Sequence, residues 1–377
     1  MPVSIARSTL RRETRRYVAA LLSVTFAGLL MLVQLALLQG LFASVTVPLD
    51  RSSAPLWLGF PNLTSVDVSR QMTVHAPSLA LIHPDVEQVE PYALTGGDLR
   101  RLDGVAMFAA VHVIDTAPNA MAFSRLLTGA QRALLDEPGA LLIDRADLDK
   151  VGGSVGMQVE INGKKAHIAG VLPGGLRGVG GLTLLASWST ARRFDPSLRR
   201  DEAHFWLLRL RPGADVQAVA RSVGEPGPKP RWQTYVADEF SKTSQIYWLL
   251  ETGLGVGAAF GVLLALVVGV VITSQTLSAA IQASIKEFAA MRAIGVSTQA
   301  LSKVVLELSF WIGGLSVVLT AVAAAGVLTL ARSVDVAMVL SPEAVIGTGA
   351  LILVITAVSG LLAIKPLFKA DPAGLLR

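Results

Sequence analysis

The sequence predicts an integral membrane α-helical protein: four transmembrane helices, with a large mixed α/β extracytoplasmic domain between helices 1 and 2. Three observations predict it. Four long runs contain no Asp, Glu, Lys or Arg. Hydrophobic residues make up 52% of the chain and charged residues only 16%, where a soluble domain carries about a quarter charged. The basic residues gather at the ends of the apolar runs, as they do when they set membrane orientation.

The charge-free runs are Tyr17–Leu49, Thr252–Ile285, the stretch between Glu307 and Arg332, and that between Glu343 and Lys365. Each is long enough for the roughly 20 residues that a helix needs to cross a bilayer. A single Lys or Arg at a span centre costs about 2.5–3.5 kcal/mol, so four clean runs of this length mark spans. The first follows Arg11, Arg12, Arg15 and Arg16. Its apolar part is far longer than the 7–15 residues of a signal-peptide core, and we expect an uncleaved anchor.

Orientation follows from the flanks. Five arginines (Arg7, Arg11, Arg12, Arg15, Arg16) precede the first run; Lys286, Arg292 and Lys303 lie between the second and third; Lys365, Lys369 and Arg377 follow the fourth. The positive-inside rule then places both termini and the 286–306 loop in the cytoplasm. The expected order is a basic leader 1–16, helix 1 at 17–45, an outer domain 46–245, helix 2 at 246–280, a cytoplasmic segment 281–303, helix 3 at 304–331, a short outer loop 332–343, helix 4 at 344–364 and a tail 365–377. Such a protein would sit in a bacterial inner membrane, in contact with its lipids.

In the outer domain, alternating or β-branched stretches predict strands at Ser65–Val74, Val86–Leu94, Val105–Ile114, Val155–Ile161, Ala166–Leu172 and Phe205–Leu210. Asn162-Gly163 is a two-residue hairpin signal. Helices are expected at Ala120–Leu135 and Val216–Val223, turns at His83-Pro84-Asp85 and Glu225–Pro230, and a loop at 174–181. The net charge of +5 is not gathered into an aromatic-interleaved patch, so nucleic acid is not expected as a partner. Cysteine is absent, which excludes thiolate metal sites and Cys nucleophiles. His75, His83, His112, His167 and His204 are scattered without metal-ligand spacing, and Ser187 and Ser189 lack a nucleophile elbow. No catalytic, metal or cofactor site is expected. Trp57, Phe60, Trp232, Tyr235, Tyr247 and Trp248 are aromatic residues near the ends of the domain, placed to line an apolar route. For Tyr247 and Trp248 an interfacial anchor at the membrane edge is the plainer reading.

The segment SIKEFAAMRAIGVSTQALSKVVLE carries the most mechanism. Ile281, Ile285 and Phe288 recur at helical spacing, followed by Met291 or Arg292. Gly295 can adopt the left-handed conformation that ends a helix, and Ser297 is placed to cap the next one. A short helix, a tight turn and a helix entering the membrane result. The same periodicity also suits a plain polar connector lying on lipid headgroups.

Glu287, Arg292, Ile294-Gly295 and Ser297 match a known pattern: an acidic residue, an arginine, then Ile-Gly with a small residue soon after. Asp371-Pro372 and Leu375–Arg377 match the same family's closing segment. With the order of one helix, an outer domain and three helices, the chain resembles the FtsX-like permease family, which includes MacB-type exporters, lipoprotein-sorting permeases and cell-division permeases. Its basic leader and length look most similar to DevC-type permeases. The resemblance implies a permease subunit that transmits movement from a separate ABC-type ATPase, which binds ATP and Mg, to the outer domain. It also implies a homodimer, a periplasmic adaptor and a TolC-like outer-membrane channel. The ATPase-coupling residues would be Ile285, Lys286, Glu287, Phe288, Met291, Arg292, Ile294, Gly295 and Ser297, the charges orienting the contact and Phe288 and Met291 filling it. No G-x-x-x-x-G-K-[ST] loop is present, so the chain itself is not expected to hydrolyse nucleotide.

Gly253, Gly257, Gly261, Ala265 and Gly269 recur in steps of four along the second run. Such a row lets another helix approach closely, and we expect it to form the homodimer seam. No charge lies mid-span, which argues against an ion-coupled carrier. Two alternatives remain open at this point: a cell-division-type signalling permease that regulates a wall hydrolase, and a membrane-anchored periplasmic enzyme.

Overall fold

A computed structural model describes residues 14–72, 75–176, 178, 181–199, 201–283, 290–291, 294–333, 336 and 338–369. The chain divides into two compact units, Leu41–Leu254 and Met1–Gly40 with Gly255–Arg377.

The second of these is helical. It holds α1 (Thr14–Val45, whose last residues enter the other unit), α8 (Gly253–Ala283), α9 (Thr298–Ser333) and α10 (Pro342–Lys369). Within them Tyr17–Val45, Gly255–Ala283, Gln299–Ala331 and Pro342–Ala363 are long and apolar enough to cross a membrane. Their outward faces are apolar, with Phe26, Phe260, Leu264, Phe310, Val322 and Ile346 all exposed, as helices facing hydrocarbon must be. Small and hydroxyl residues fill the contacts between helices. Thr320 donates to the carbonyl of Thr25 at 3.2 Å, Ser274 and Ser359 hydroxyls meet at 2.8 Å, and Gly28 leaves room for Thr320 and Ile352. Ser341 caps α10 by accepting from Ala344 N at 3.2 Å, with Pro342 at the first helical position, where a missing N–H costs nothing. Gln39 accepts from Ser341 N at 2.9 Å.

The other unit is the α/β domain. Its elements are α2 (Val47–Asp50), β1 (Leu56–Gly59), α3 (His75–Ile82), β2 (Val86–Arg101), β3 (Ala106–Ile114), α4 (Gly129–Leu134), β4 (Ala140–Asp144), a 3-10 turn (Arg145–Val151), β5 (Gln158–Ile161), β6 (Lys164–Leu172), β7 (Leu182–Ser187), α5 (Trp188–Phe194), β8 (Phe205–Leu210), α6 (Val216–Val223), β9 (Gln233–Val236) and α7 (Ala237–Leu250). The strands pair in the order β3-β7-β4-β6-β5-β2-β8-β1-β9, with a further β3–β2 pairing. The long β2 makes this possible. Ala93–Arg100 pairs with β3, Leu99–Arg101 with β5, and its first half with β8. Strands β2, β3, β7, β4, β6 and β5 therefore close into a ring, and β8, β1 and β9 extend as a wing. Two apolar clusters fill the interior: one built on Leu99, Val111, Leu141 and Ile168, the other on Trp57, Tyr92, Phe123 and Phe205.

Several expectations are corrected. Ser65–Val74 is not a strand over its described residues. Val68 N donates to Ser65 O at 3.2 Å, and the Ser65 hydroxyl bonds Asp67, a local side-chain turn that competes with extended pairing. The helix expected at Ala120–Leu135 shortens to α4, because Phe123 takes φ 53° and a capping box at Thr128 and Gln131 starts the helix afresh. Second-span residues 246–250 belong to α7, which stops at Leu250 before α8 begins at Gly253. The hairpin at Asn162-Gly163 stands: both residues have positive φ, 50° and 73°, as a type I′ turn requires.

Candidate functional site

The segment joining α8 and α9 is built from local signals. Gly295 has φ +96°, which a residue with a Cβ adopts only under strain. Ile294 N donates to Ala290 O at 3.2 Å and Val296 N to Met291 O at 3.1 Å. The second bond is the 6→1 closure of a Schellman motif, with Gly295 just past the helix end. Ser297 then starts α9: its hydroxyl accepts from Ala300 N at 3.3 Å. Helix end, turn and new helix follow within a few residues, as the spacing predicted.

The side chains divide unevenly around this turn. Met291 and Val296 pack against a buried cluster of Tyr17, Ala20, Leu277, Ile281, Leu301 and Val305, which supplies the apolar contact that accompanies a Schellman end. Met291, expected to fill a partner's groove, is instead half-buried in its own helical unit. Ile294, by contrast, is 83% exposed. Ile285, Lys286, Glu287, Phe288 and Arg292 lie outside the described residues.

The small-residue row on α8 is also divided. A Cβ on Gly269 would come within 2.4 Å of Met31 Cε, and one on Gly261 within 2.9 Å of Gln34 Oε1, while Gly253 and Gly257 face open space. Ala265 is buried. Gly261 and Gly269 therefore pack on α1 of the same chain, while Gly253 and Gly257 have no neighbour within 4 Å of a Cβ. Sequence spacing identified a close-approach face but not the helix that uses it.

The α/β unit shows structural uses for the polar residues considered earlier. Ser187 caps α5, accepting from Thr190 N at 3.3 Å. Asp85 N donates to His83 Nδ1 at 3.2 Å, closing the expected turn. His112 Nδ1 meets the Tyr92 hydroxyl at 2.5 Å, and burial lowers the His112 pKa to about 4. Burial likewise takes His204 to about 4, against the opposing pull of Asp195. Among the described residues no group of His, Asp and Glu could hold a metal ion. A network that sequence reasoning missed ties β2 to the segment before α4. Glu90 is buried and accepts from Met121 N and Ala122 N, while buried Arg132 donates to the carbonyls of Asp115 and Ala122, both at 2.7 Å. Burial raises the Glu90 pKa despite those two N–H donors and the nearby Arg132 guanidinium. Trp57, Trp232 and Tyr235 are buried as well. Trp232 donates its indole N–H to Val223 O at 3.1 Å and Tyr235 its hydroxyl to Phe60 O at 2.7 Å; Trp57 and Trp232 belong to the core, while Tyr235 also lines a cavity with Leu63, Gln233 and Phe240.

This architecture, one span, an α/β unit and three spans, coincides with two family models. An FtsX-like permease C-terminal model matches residues 259–372, and a MacB-like periplasmic core domain model matches residues 18–225, more than half of the chain. The chain belongs to the MacB/FtsX-type permease family. The permease is thus a multi-pass membrane protein of a transporter class whose members work with an ABC ATPase. No curated protein matches it significantly. Among solved structures, the periplasmic region of MacB from Actinobacillus actinomycetemcomitans is similar over 52% of this chain and 94% of its own, at 12% identity and TM-score 0.37. The extracellular domain of the noncanonic ABC-type transporter YknZ from Gram-positive bacteria covers 48% of this chain and 98% of its own, at 14% identity and TM-score 0.34. A domain of a putative permease protein from Porphyromonas gingivalis covers 48% and 88%, at 16% identity and TM-score 0.33.

Proposed function

We propose that this permease is the membrane subunit of an ATP-driven exporter, passing movement from a separate ATPase to its outer domain. The supporting observation is the capped turn at Gly295. A helix end closed by a Schellman bond, followed at once by a Ser-capped helix, is a stiff elbow, and it presents an exposed isoleucine at its tip. A single exposed apolar side chain is ordinary in itself; its place at the tip of a stiff elbow is what offers it as a contact point. A groove on the ATPase is the partner that the family supplies. Movement of the elbow would travel along α9, whose first turns share one buried cluster with α1 and α8.

In this reading both termini and the elbow face the cytoplasm of a bacterial inner membrane. Two copies meet along the outer part of α8 at Gly253 and Gly257. ATP and Mg stay on the partner, and the outer domain works with a periplasmic adaptor and a TolC-like channel. The spans carry no mid-span charge, so they transmit force as rigid bodies rather than hold an ion path. The test uses the permease co-expressed with its ATPase. Ile294→Asp and Arg292→Glu should each abolish ATPase co-purification and transport while membrane insertion persists. Wild-type association in both variants would overturn the placement of the contact.

A further inference from the structure

The nine-stranded sheet ends on β9, which pairs with β1 alone. Ala237 N donates to Pro55 O at 3.0 Å, and bonded and non-bonded pairs alternate along an antiparallel ladder. Continuing the register from that bond, Trp57–Tyr235 and Gly59–Gln233 exchange hydrogen bonds, whereas Leu56–Val236 and Leu58–Thr234 do not. Thr234 therefore turns its N–H and C=O away from β1, and Val236 turns its N–H away. Among the described residues none of these three groups finds a partner. Native sheets blunt such an edge with charge, proline or a bulge, or cover it. The Gln-Thr-Tyr-Val of β9 has neither charge nor proline, and its register with β1 is unbroken.

The edge opens into a cavity of about 520 Å³ between α6 and α7. Each face of the strand meets a different wall. The Thr234 hydroxyl donates to Ala220 O of α6, while Tyr235 stacks on Phe240 of α7 with ring centroids 4.4 Å apart. On the α6 wall Arg221 is exposed, and among the described residues no carboxylate pairs with it. Glu225, which also lines the cavity, is held by Arg231 at 2.7 Å. On the α7 wall Glu239 accepts from Gln217 Nε2 at 2.8 Å, which ties the two helices together across the cleft.

We propose that the β9 edge binds an extended segment of a partner protein, which adds to the sheet as a further antiparallel strand between α6 and α7. Bonds to the Thr234 and Val236 backbone supply affinity, and side chains in alternate pockets supply specificity. The partner residue opposite Thr234 shares its face and lies beside Arg221, so an acidic residue suits it. Its two neighbours point to the Tyr235–Phe240 wall, so apolar residues suit them. A second copy of this chain is the poorer occupant. Two β9 edges paired about Thr234 would be related by a two-fold axis, which sets the two Arg221 guanidiniums together on one face and the two Glu239 carboxylates on the other. The proposal does not depend on the ATPase-coupling reading.

The test uses the full chain in detergent and a fluorescein-labelled peptide, acetyl-Thr-Val-Glu-Val-Thr-amide, followed by fluorescence anisotropy. Binding should saturate. Methylating the glutamate nitrogen, which removes the bond to Thr234 O, should weaken it by about tenfold or more. Replacing that glutamate with lysine should also weaken it, and Arg221→Glu should reverse the preference between the two peptides. Val236→Pro is the decisive variant. Val236 has φ −72°, which proline adopts without strain, and the N–H it removes is unpaired. Its melting temperature should match wild type while peptide affinity falls by about tenfold or more. Absence of saturable binding to wild type up to about 1 mM peptide would overturn the proposal. So would equal binding by Val236→Pro, or a dimer-to-monomer change in that variant by size-exclusion chromatography, which would make the edge a contact between copies.

Discussion

Ser309 of α9 and Gly360 of α10 are in such close contact that a Cβ on Gly360 would come within 2.0 Å of Ser309 Oγ and 3.2 Å of its Cβ. Helices that pack without a hydrophobic driving force rely on this kind of small-residue fit. Gly360→Ala should lower the thermal stability of the detergent-solubilised permease by about 1–3 kcal/mol, the usual range for overpacking. Ser309→Gly should be tolerated, because its hydroxyl is buried without a partner. In the double variant it should restore most of the loss. Additive melting shifts in the double-mutant cycle would disprove the contact.

Gly295 needs glycine for a different reason. Nothing lies within 4 Å of its missing Cβ, so only its φ of +96° resists substitution. Gly295→Ala should therefore leave insertion and folding intact while loosening the elbow at a local cost of roughly 1–2 kcal/mol. Gly295→Asn should behave better, because Asn tolerates the left-handed region. Co-purification of the ATPase should rank wild type above Asn, and Asn above Ala. Equal recovery from all three would show that elbow stiffness is irrelevant to the contact.

The two halves of the small-residue row make opposite predictions. Gly269→Leu should destabilise the monomer, because Met31 already fills that space. Gly257→Leu faces nothing within the chain. It should keep the melting temperature in detergent and abolish crosslinking between copies through α8. Unchanged crosslinking of Gly257→Leu would rule out the proposed seam.

These contrasts show which features sequence reveals and which it hides. Strand β8 and helix α6 were legible to the residue. Helix α6 is amphipathic and capped by Asp215, which accepts from Gln217 N and Ala218 N. Strands β1, β4 and β7 were not foreseen. They are buried along their whole length, so they lack the alternation that marks a half-buried strand. The elbow at Gly295 and Ser297 was readable because backbone conformation and capping are local. The inward packing of Met291, and the choice of α1 as neighbour for Gly261 and Gly269, depend on helices distant in sequence, which periodicity cannot name.

The buried pair Tyr92 and His112 makes the outer domain acid-sensitive. Unfolded, His112 takes up its proton near pH 6.5; folded, burial delays this to about 4. Between those values the unfolded chain binds more protons, so stability rises with pH and is lost as pH falls through the window. The slope is up to about 1.4 kcal/mol per pH unit for each such histidine. Tyr92, whose own pKa burial raises, stays neutral throughout and offers no compensating charge. His204 acts in the same direction, with its pKa also lowered to about 4. Glu90 acts in the opposite direction, because its raised pKa removes stability as pH climbs above its unfolded value. The measurement is therefore a difference. Melting of wild type and His112→Gln followed from about pH 7 to 4 should show a shallower acid slope in the variant, whatever its baseline stability. Parallel curves would mean that His112 takes up its proton at the same pH in the folded and unfolded chain.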